Sequence, residues 1–415
     1  MAKIHSETRR RLLAGAGALT AFGALGGAKA LAAELGSGSA LGYAELPDGT
    51  LAEQVLYALP GKVPLIKKTY RPPNFETPIE YFRTPITRND AFFVRYHLAG
   101  IPEVKAKDWV LTVGGDSAER QLKLTLDQLK KEFKPAEITA VNQCSGNRRG
   151  LFEPHVPGVE WGVGAMGNAV WRGVRLKDVL AKAGVKGDAI EVVMDGADSA
   201  PLDKTPDFVK SLPVDVAMRD ETLIAFEMNG KPLPHWNGFP ARMIVPGWTG
   251  TYWIKHLTSV RLVSQPEKNF WMSTAYRLPR GRFKTPTFQS QLYAPNEPIT
   301  TMVVNSMITS LKNGQELPRG KPIEVKGIAF DGGSGIDKVE ISSDGASWQI
   351  AKLGKDLGRY SFREFSHTLP ARDGGALVVM ARATARSGET QVEQLIHNPA
   401  GYHHNVIQRL YLEVV

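Results

Sequence analysis

A single cysteine occurs in 415 residues, and it stands in the run Val141-Asn-Gln-Cys144-Ser-Gly-Asn-Arg-Arg-Gly150. The residues before it, Glu137 to Val141, have the apolar, β-branched character of a short buried strand. Cys144 therefore falls where a strand gives way to a Gly/Asn-rich turn, which can present a sulfur while its neighbours are held. Two guanidinium groups close behind a thiol favour its thiolate form and attract an anion. A soft thiolate is a natural ligand for a soft or high-valent metal. A lone cysteine is also often a buried structural thiol, and this run alone leaves both readings open.

Four further segments hold polar or aromatic groups of the kind a site needs. Phe92-Phe93-Val94-Arg95-Tyr96-His97 reads as a strand by composition. Alternation puts Phe93, Arg95 and His97 on one face, either as a pocket wall or as an exposed edge. Gly238-Phe-Pro-Ala-Arg242 leads a loop into a strand. Pro246-Gly-Trp-Thr-Gly-Thr-Tyr-Trp253-Ile254-Lys255 combines turns with aromatic and cationic groups. Trp271-Met-Ser-Thr-Ala-Tyr276-Arg277 presents aromatics that by themselves read as packing.

Taken together and in this order, these segments resemble the motifs of the sulfite oxidase family of molybdenum enzymes. The resemblance runs from about Pro72 to the C-terminus and is closest to the bacterial periplasmic sulfite dehydrogenases. It implies a molybdenum–molybdopterin cofactor with Cys144 as the metal ligand. Arg95 and Arg149 are then the ligands of the substrate anion, since a planar fork of donors matches sulfite or sulfate oxygens. Tyr276 matches the family's active-site tyrosine, and Trp271 and His97 border the same pocket. The pterin positions fall on Phe93, Val94, Arg95, Tyr96, His97, Asp198, Arg242, Trp253, Ile254 and Lys255. Asn237 stands where the animal enzymes carry a histidine, and His235, two residues earlier, is the candidate substitute. Tyr96 likewise replaces an asparagine of the animal enzymes, and Ser145 the commoner alanine. Arg148 is read as structural.

Positioning these groups falls to a chain long enough for two domains. A hydrophobic content of 42% with 22% charged residues is ordinary for a globular protein. Thr8-Arg9-Arg10-Arg11-Leu12-Leu13, followed by an Ala/Gly-rich stretch and small residues near Ala28–Ala32, resembles a twin-arginine signal. Residues 1–30 are expected to direct export to the periplasm, and no later run is apolar enough to span a membrane. Their removal lowers the formal charge from +9 to about +5. With no Lys/Arg block remaining, the charge is not a nucleic-acid footprint. One cysteine excludes an intrachain disulfide and a Cys-x-x-Cys-His haem site. Electrons must then leave to another molecule, and the resemblance implies a c-type cytochrome or a haem c subunit. Both a homodimer and a heterodimer with such a subunit are open.

The expected fold is α+β: a mixed molybdopterin domain followed by an all-β, immunoglobulin-like sandwich. Residues 31–80, interrupted by Pro60, Pro64, Pro72, Pro73 and Pro78, are expected to be extended and loop-rich. Residues 81–289 form the molybdopterin-binding domain and 290–415 the sandwich, a dimerisation-type module. Strands are expected at 92–97, 109–113, 137–142, 189–194, 223–228, 242–245 and 250–257, and helices at 125–133 and 176–183. An irregular glycine-rich region is expected at 158–168. In the second half, β-type runs fall at 322–330, 338–342, 348–352, 359–369 and 376–384. The reading is a sulfite dehydrogenase. Its rivals are an S-oxide (methionine sulfoxide) reductase on the same fold and a non-catalytic binding protein using the sandwich.

Overall fold

The computed structural model of the chain describes residues 55–280 and 296–415. The expected export signal, residues 31–54 of the 31–80 segment and the 289/290 boundary lie outside the described residues. Among those described, short strands dominate and helices are few, which is the α+β class read from the sequence. None of the described helices is long and apolar enough to cross a membrane.

Three sheets surround the cysteine. The first is an antiparallel set of four, Leu56–Tyr57, Leu65–Thr69, Asn74–Glu76 and Val94–Arg95, and it delivers Arg95. The proline-rich segment before residue 80 is thus folded into hairpins rather than merely extended. The second runs in the order Lys210–Pro213, Glu191–Gly196, Leu257–Val263, Val110–Gly114 and Leu122–Thr125, with one parallel pairing between Leu257–Val263 and Val110–Gly114. The third places Pro135–Gln143 at its edge, beside Met166–Arg175, Leu223–Met228 and Lys231–Pro232, with Arg242–Ile244 pairing on Leu223–Met228.

Local chemistry explains the helices. Leu126–Glu132 starts at a reciprocal capping box between Thr125 and Gln128, and it buries Leu129. Leu176–Ala183 buries Leu176, Val179, Leu180 and Ala183, the i, i+3, i+4, i+7 face of an amphipathic helix. Gly184 ends it with φ 77°, a left-handed stop that glycine adopts without steric cost.

Three expectations need correction. The long strand Met166–Arg175 takes over the end of the region read as irregular, because its glycines serve packing rather than loop formation. A Cβ on Gly167 would sit 2.4 Å from the ring of Phe92, and one on Gly173 would sit 2.0 Å from Ile224 O. The run 92–97 is a strand only at Val94–Arg95; its neighbours bend so that Phe93, Arg95 and His97 all reach the central cleft. Gly250–Leu257 is not a strand. Gly250–Tyr252 is a turn of 3-10 helix, and the strand begins at Leu257.

The second half is a β-sandwich. One sheet runs Asn305–Ile308, Ile323–Phe330, Arg363–Leu369, Lys352–Leu353; the other runs Glu316–Leu317, Gln408–Val414, Gly375–Ala385, Ile336–Ser342, Gln349–Ile350. The run 348–352, read as one strand, is split between the two sheets on either side of buried Ala351. Gln408–Val414 was not anticipated, although it buries Leu410, Leu412 and Val414 alternately. The halves meet through a shared apolar cluster that packs Ile66, Phe82, Val141 and Met166 with Met302, Met307, Phe330 and Phe362.

The close approach at Gly173 gives a direct test. Gly173→Ala must push apart two paired strands, and over-packing of this kind costs about 1–3 kcal/mol. A lower unfolding midpoint in thermal denaturation is expected, with the exposed Gly187→Ala as the unchanged control, since nothing lies within 4 Å of a Cβ there.

Candidate active site and molybdenum centre

Cys144 stands one residue beyond the Pro135–Gln143 strand, and the turn behind it is fastened to the 161–165 segment. Cys144 N donates to Ala165 O at 2.9 Å, Arg148 N to Gly162 O at 2.7 Å and Ala165 N to Asn147 Oδ1 at 3.0 Å. Arg148 adopts a left-handed φ of 67°. Its Nη2 donates to Ser306 O at 2.9 Å, so Arg148 ties the turn to the sandwich. Arg149 is buried on a different path. Its Nε donates to Ala400 O at 2.9 Å, its Nη1 donates to Val159 O at 3.1 Å, and the guanidinium lies 5.2 Å from the centre of the Tyr402 ring. A Cβ on Gly146, Gly158 or Gly401 would come within 2.5, 2.9 or 2.7 Å of the Arg149 side chain. Glycines from three separate segments therefore make the seat of one guanidinium.

Two clefts meet at the cysteine. The inner one, about 580 Å³, is walled by Phe93, Arg95, His97, Cys144, Asp198, Asn237, Arg242, Trp253, Ile254, Lys255 and Tyr276. The outer one, about 920 Å³ and open, is walled by Arg95, Cys144, Arg149, Trp271, Tyr276, Ala400 and Tyr402. Arg95, Cys144 and Tyr276 belong to both. Thirteen of the sixteen site positions named from the sequence thus gather around one sulfur. Val94 and Tyr96 instead pack into a small core with Leu59, Leu65 and Phe75. The His235 ring faces Trp236 and His256 rather than the cleft, so Asn237 and not His235 fills that wall.

Burial sets the electrostatics. Desolvation pushes His97 well below the ordinary histidine range, helped by Arg95, Lys255 and Lys210, so the imidazole is neutral. Its Nε2 shares a hydrogen bond with the Tyr276 hydroxyl, and its ring stacks on Phe208 at 3.5 Å. Burial also raises the Tyr276 phenol against the opposing pull of Arg95, so it keeps its proton. Tyr276 has φ 56°, a conformation that a bulky residue adopts only when its surroundings enforce it. Arg95 loses to burial but gains more from Tyr276 and Cys144, and it remains cationic. Burial lowers Lys210 to about 7, Lys255 to about 7 and Arg242 to about 9.

Residues absent from the sequence reading complete the walls. Tyr402 stacks on Tyr276 at 5.6 Å. Lys210 donates to Trp271 O at 2.6 Å and lies 5.3 Å from the Tyr276 ring centre. Phe208 and Thr251 line the inner cleft. Tyr402 comes from the far end of the chain, and its one local signal is the aromatic and polar run Tyr402-His-His-Asn405.

This donor set fits a molybdopterin. The described residues contain no group of three His, Cys, Asp or Glu side chains able to hold a metal, so beyond Cys144 a metal here must take ligands from a non-protein group. Around the inner cleft, Arg95 Nε, His97 Nδ1, Ser145 Oγ, Arg242 Nε and Thr251 Oγ1 are buried without a hydrogen-bond partner. Buried polar atoms are nearly always satisfied, and a polar heterocycle with a phosphate arm would satisfy these.

Comparison with known proteins agrees. Residues 97–271 match the oxidoreductase molybdopterin binding domain, and residues 296–414 match the Mo-co oxidoreductase dimerisation domain. The fold and site thus define a molybdopterin-dependent oxidoreductase. The chain is 38% identical over 308 residues to human mitochondrial sulfite oxidase, covering 71% of this chain and 54% of the relative. It is 31% identical over 339 residues to chicken sulfite oxidase, covering 78% and 72%. It is 30% identical over 387 residues to a spinach NADH nitrate reductase, covering 86% and 41%. The crystal structure of the sulfane dehydrogenase SoxCD from Paracoccus pantotrophus superposes with a TM-score of 0.72 at 25% identity, covering 84% of this chain and 87% of that one. The chain belongs to the sulfite oxidase family of molybdenum enzymes, and it spans about half the length of the mammalian relatives it matches.

Lys255 makes cofactor retention pH-dependent. Its Nζ donates to Arg95 O at 2.8 Å, and its pKa of about 7 describes the free cleft. An anion in the cleft favours the ammonium form and raises that pKa. Affinity is then full below pH 7 and falls as pH rises above it. Molybdenum per chain, measured after dialysis from about pH 6 to about pH 9, is expected to decline with pH. In Lys255→Gln it is expected to be lower and nearly flat.

Proposed function

We propose that this chain is a periplasmic sulfite dehydrogenase that oxidises sulfite to sulfate and passes the electrons singly to a c-type cytochrome. The observation that carries the reading is the junction of the two clefts. There, the Cys144 sulfur is faced by the cationic Arg95 and the phenol of Tyr276, with Arg149 in the adjoining outer wall. The overall conversion, sulfite plus water to sulfate plus two protons and two electrons, needs a centre that stores two electrons and exchanges an oxygen atom. Molybdopterin-bound molybdenum supplies that chemistry.

The side chains supply the rest. Arg95 and Arg149 bind the anion through fixed planar donors. Their hydrogen bonds to backbone carbonyls hold the forks in place before substrate arrives. Tyr276 keeps its proton and offers a neutral donor at the cleft junction. His97, neutral and hydrogen-bonded to it, holds the phenol in place at the junction. Ser145, Asn237, Arg242, Thr251 and Lys255 hold the cofactor on the inner side.

The likeness to sulfite oxidases and to a sulfane dehydrogenase supports a sulfur anion as substrate. The match to a dimerisation module supports a homodimer or a heterodimer with a haem subunit as electron acceptor. The resemblance of residues 8–13 to a twin-arginine signal supports the periplasmic assignment. The likeness to a nitrate reductase shows that this scaffold also serves reduction, so S-oxide reduction is the second reading to test.

The test adds sulfite and oxidised cytochrome c to exported protein while molybdenum is quantified in the same sample. Sulfite-dependent haem reduction is expected at near one molybdenum per chain. Cys144→Ser is expected to abolish turnover with the fold intact, and Arg149→Gln to lower kcat/KM by about 100-fold or more. Full turnover in Cys144→Ser, or reduction of methionine sulfoxide in place of sulfite oxidation, would overturn the proposal.

A further inference from the structure

Lys62 is a buried cation that the site described above does not use. Its Nζ donates to Asn89 O at 2.7 Å, to Phe92 O at 3.0 Å and to Asn237 Oδ1 at 2.6 Å. All three acceptors are neutral. The nearby carboxylate of Asp90 is engaged by Arg88, whose Nε donates to it at 2.9 Å. A lysine buried with no ion pair of its own is costly, and desolvation lowers it to about 7 despite the opposing influence of Asp90. A group held at such cost, with all three of its donors used, has a positional task.

The far ends of those bonds show the task. Asn237 Nδ2 donates to Phe93 O at 3.1 Å, and Asn237 O accepts from Arg242 Nη1 at 3.0 Å. Phe92, Phe93, Asn237 and Arg242 all line the inner cleft. They come from two stretches far apart in sequence, and neither stretch is bonded to Lys62 through regular secondary structure. One ammonium therefore joins the 92–93 wall to the 237–242 wall, with Asn237 as the link. Asparagine offers an acceptor to the lysine and a donor to the backbone at once, which makes Lys62 and Asn237 a matched pair. Lys62 lies before residue 97, where the match to the molybdopterin-binding model begins.

We infer that Lys62 is a positioning residue for the molybdopterin cleft, acting through Asn237 to fix the spacing of the two walls that grip the cofactor. The inference rests on the cofactor and not on the identity of the substrate.

The experiment uses holoenzyme and reads loss of molybdenum and pterin during dialysis, with thermal unfolding of the apo-protein measured in parallel. Lys62→Met keeps the length of the side chain and removes its donors. It is expected to lose cofactor about 10- to 100-fold faster, the usual cost of removing a group that orients a ligand. Loss of the ammonium leaves three buried acceptors without their donor, so some loss of apo-protein stability is expected, and cofactor release is read well below the unfolding transition of every variant so that the two readouts separate positioning from folding. Asn237→Ala leaves both carbonyl bonds of Lys62 in place and is expected to show the same loss. The double variant is expected to lose cofactor no faster than the worse single one, because both act through one link. If Lys62→Met does not accumulate as folded protein, Lys62→Gln, which keeps neutral donors but not the ammonium's three bonds, carries the test and is expected to lose cofactor faster than the parent. Cofactor retention at the parent rate in either variant, or fully additive losses, would overturn the inference. Sulfite turnover does not enter, so a failed substrate assignment leaves this outcome readable.

Discussion

The structure depends on burying an excess of positive charge around one cleft. Arg95, Arg149, Arg242, Lys210, Lys255 and, one layer out, Lys62 are all withdrawn from water. The single carboxylate in the cleft wall is Asp198, which burial itself pushes towards neutrality. Ion pairing cannot therefore balance the account. Backbone carbonyls and aromatic faces do so instead: Lys255 lies 4.0 Å from the Tyr96 ring centre, Lys210 4.6 Å from Tyr252, and Arg242 5.2 Å from Trp171. Such contacts hold a cation in place without cancelling its charge. What remains is a pre-formed positive field that a dianionic cofactor arm or a sulfur oxyanion relieves.

This constraint accounts for the odd strand geometry nearby. Carbonyls are free to accept from buried cations only where they are not spent in a ladder. The backbone around the cleft is accordingly broken into two- and three-residue strands and 3-10 turns, such as Val94–Arg95, His235–Asn237 and Gly250–Tyr252. Trp253 O and Asn237 O are released to Arg242, and Arg95 O to Lys255. The regular sheets lie behind this shell and give it a rigid back.

How much of this was legible in the sequence follows from what each residue depends on. Cys144 and the two arginines behind it stand out by composition, whereas the roles of Arg95, Arg242, Lys255 and Tyr276 follow from the resemblance to the sulfite oxidase family, since each of their segments alone reads as an ordinary strand, loop or packing aromatic. The helix 176–183 was bounded correctly because its apolar period and its terminal glycine agree. The misreadings share one cause, local cues overridden by tertiary packing. Gly167 and Gly173 look like loop residues yet sit in a ten-residue strand, because neighbouring groups press against them. Tyr402, Lys210 and Lys62 were invisible for a related reason. Each owes its role to a partner more than 50 residues away, and nothing in its own neighbourhood marks it.

The seat of Arg149 has one more consequence. Its carbonyl partner Ala400, its glycine contact Gly401 and its ring neighbour Tyr402 all belong to the C-terminal half, while the walls of the inner cleft come from residues before 280. The inner cleft is thus walled by the first portion of the chain, whereas the seat of Arg149 is shared between both portions. A change at 399–402 can shift that guanidinium without touching a wall of the inner cleft.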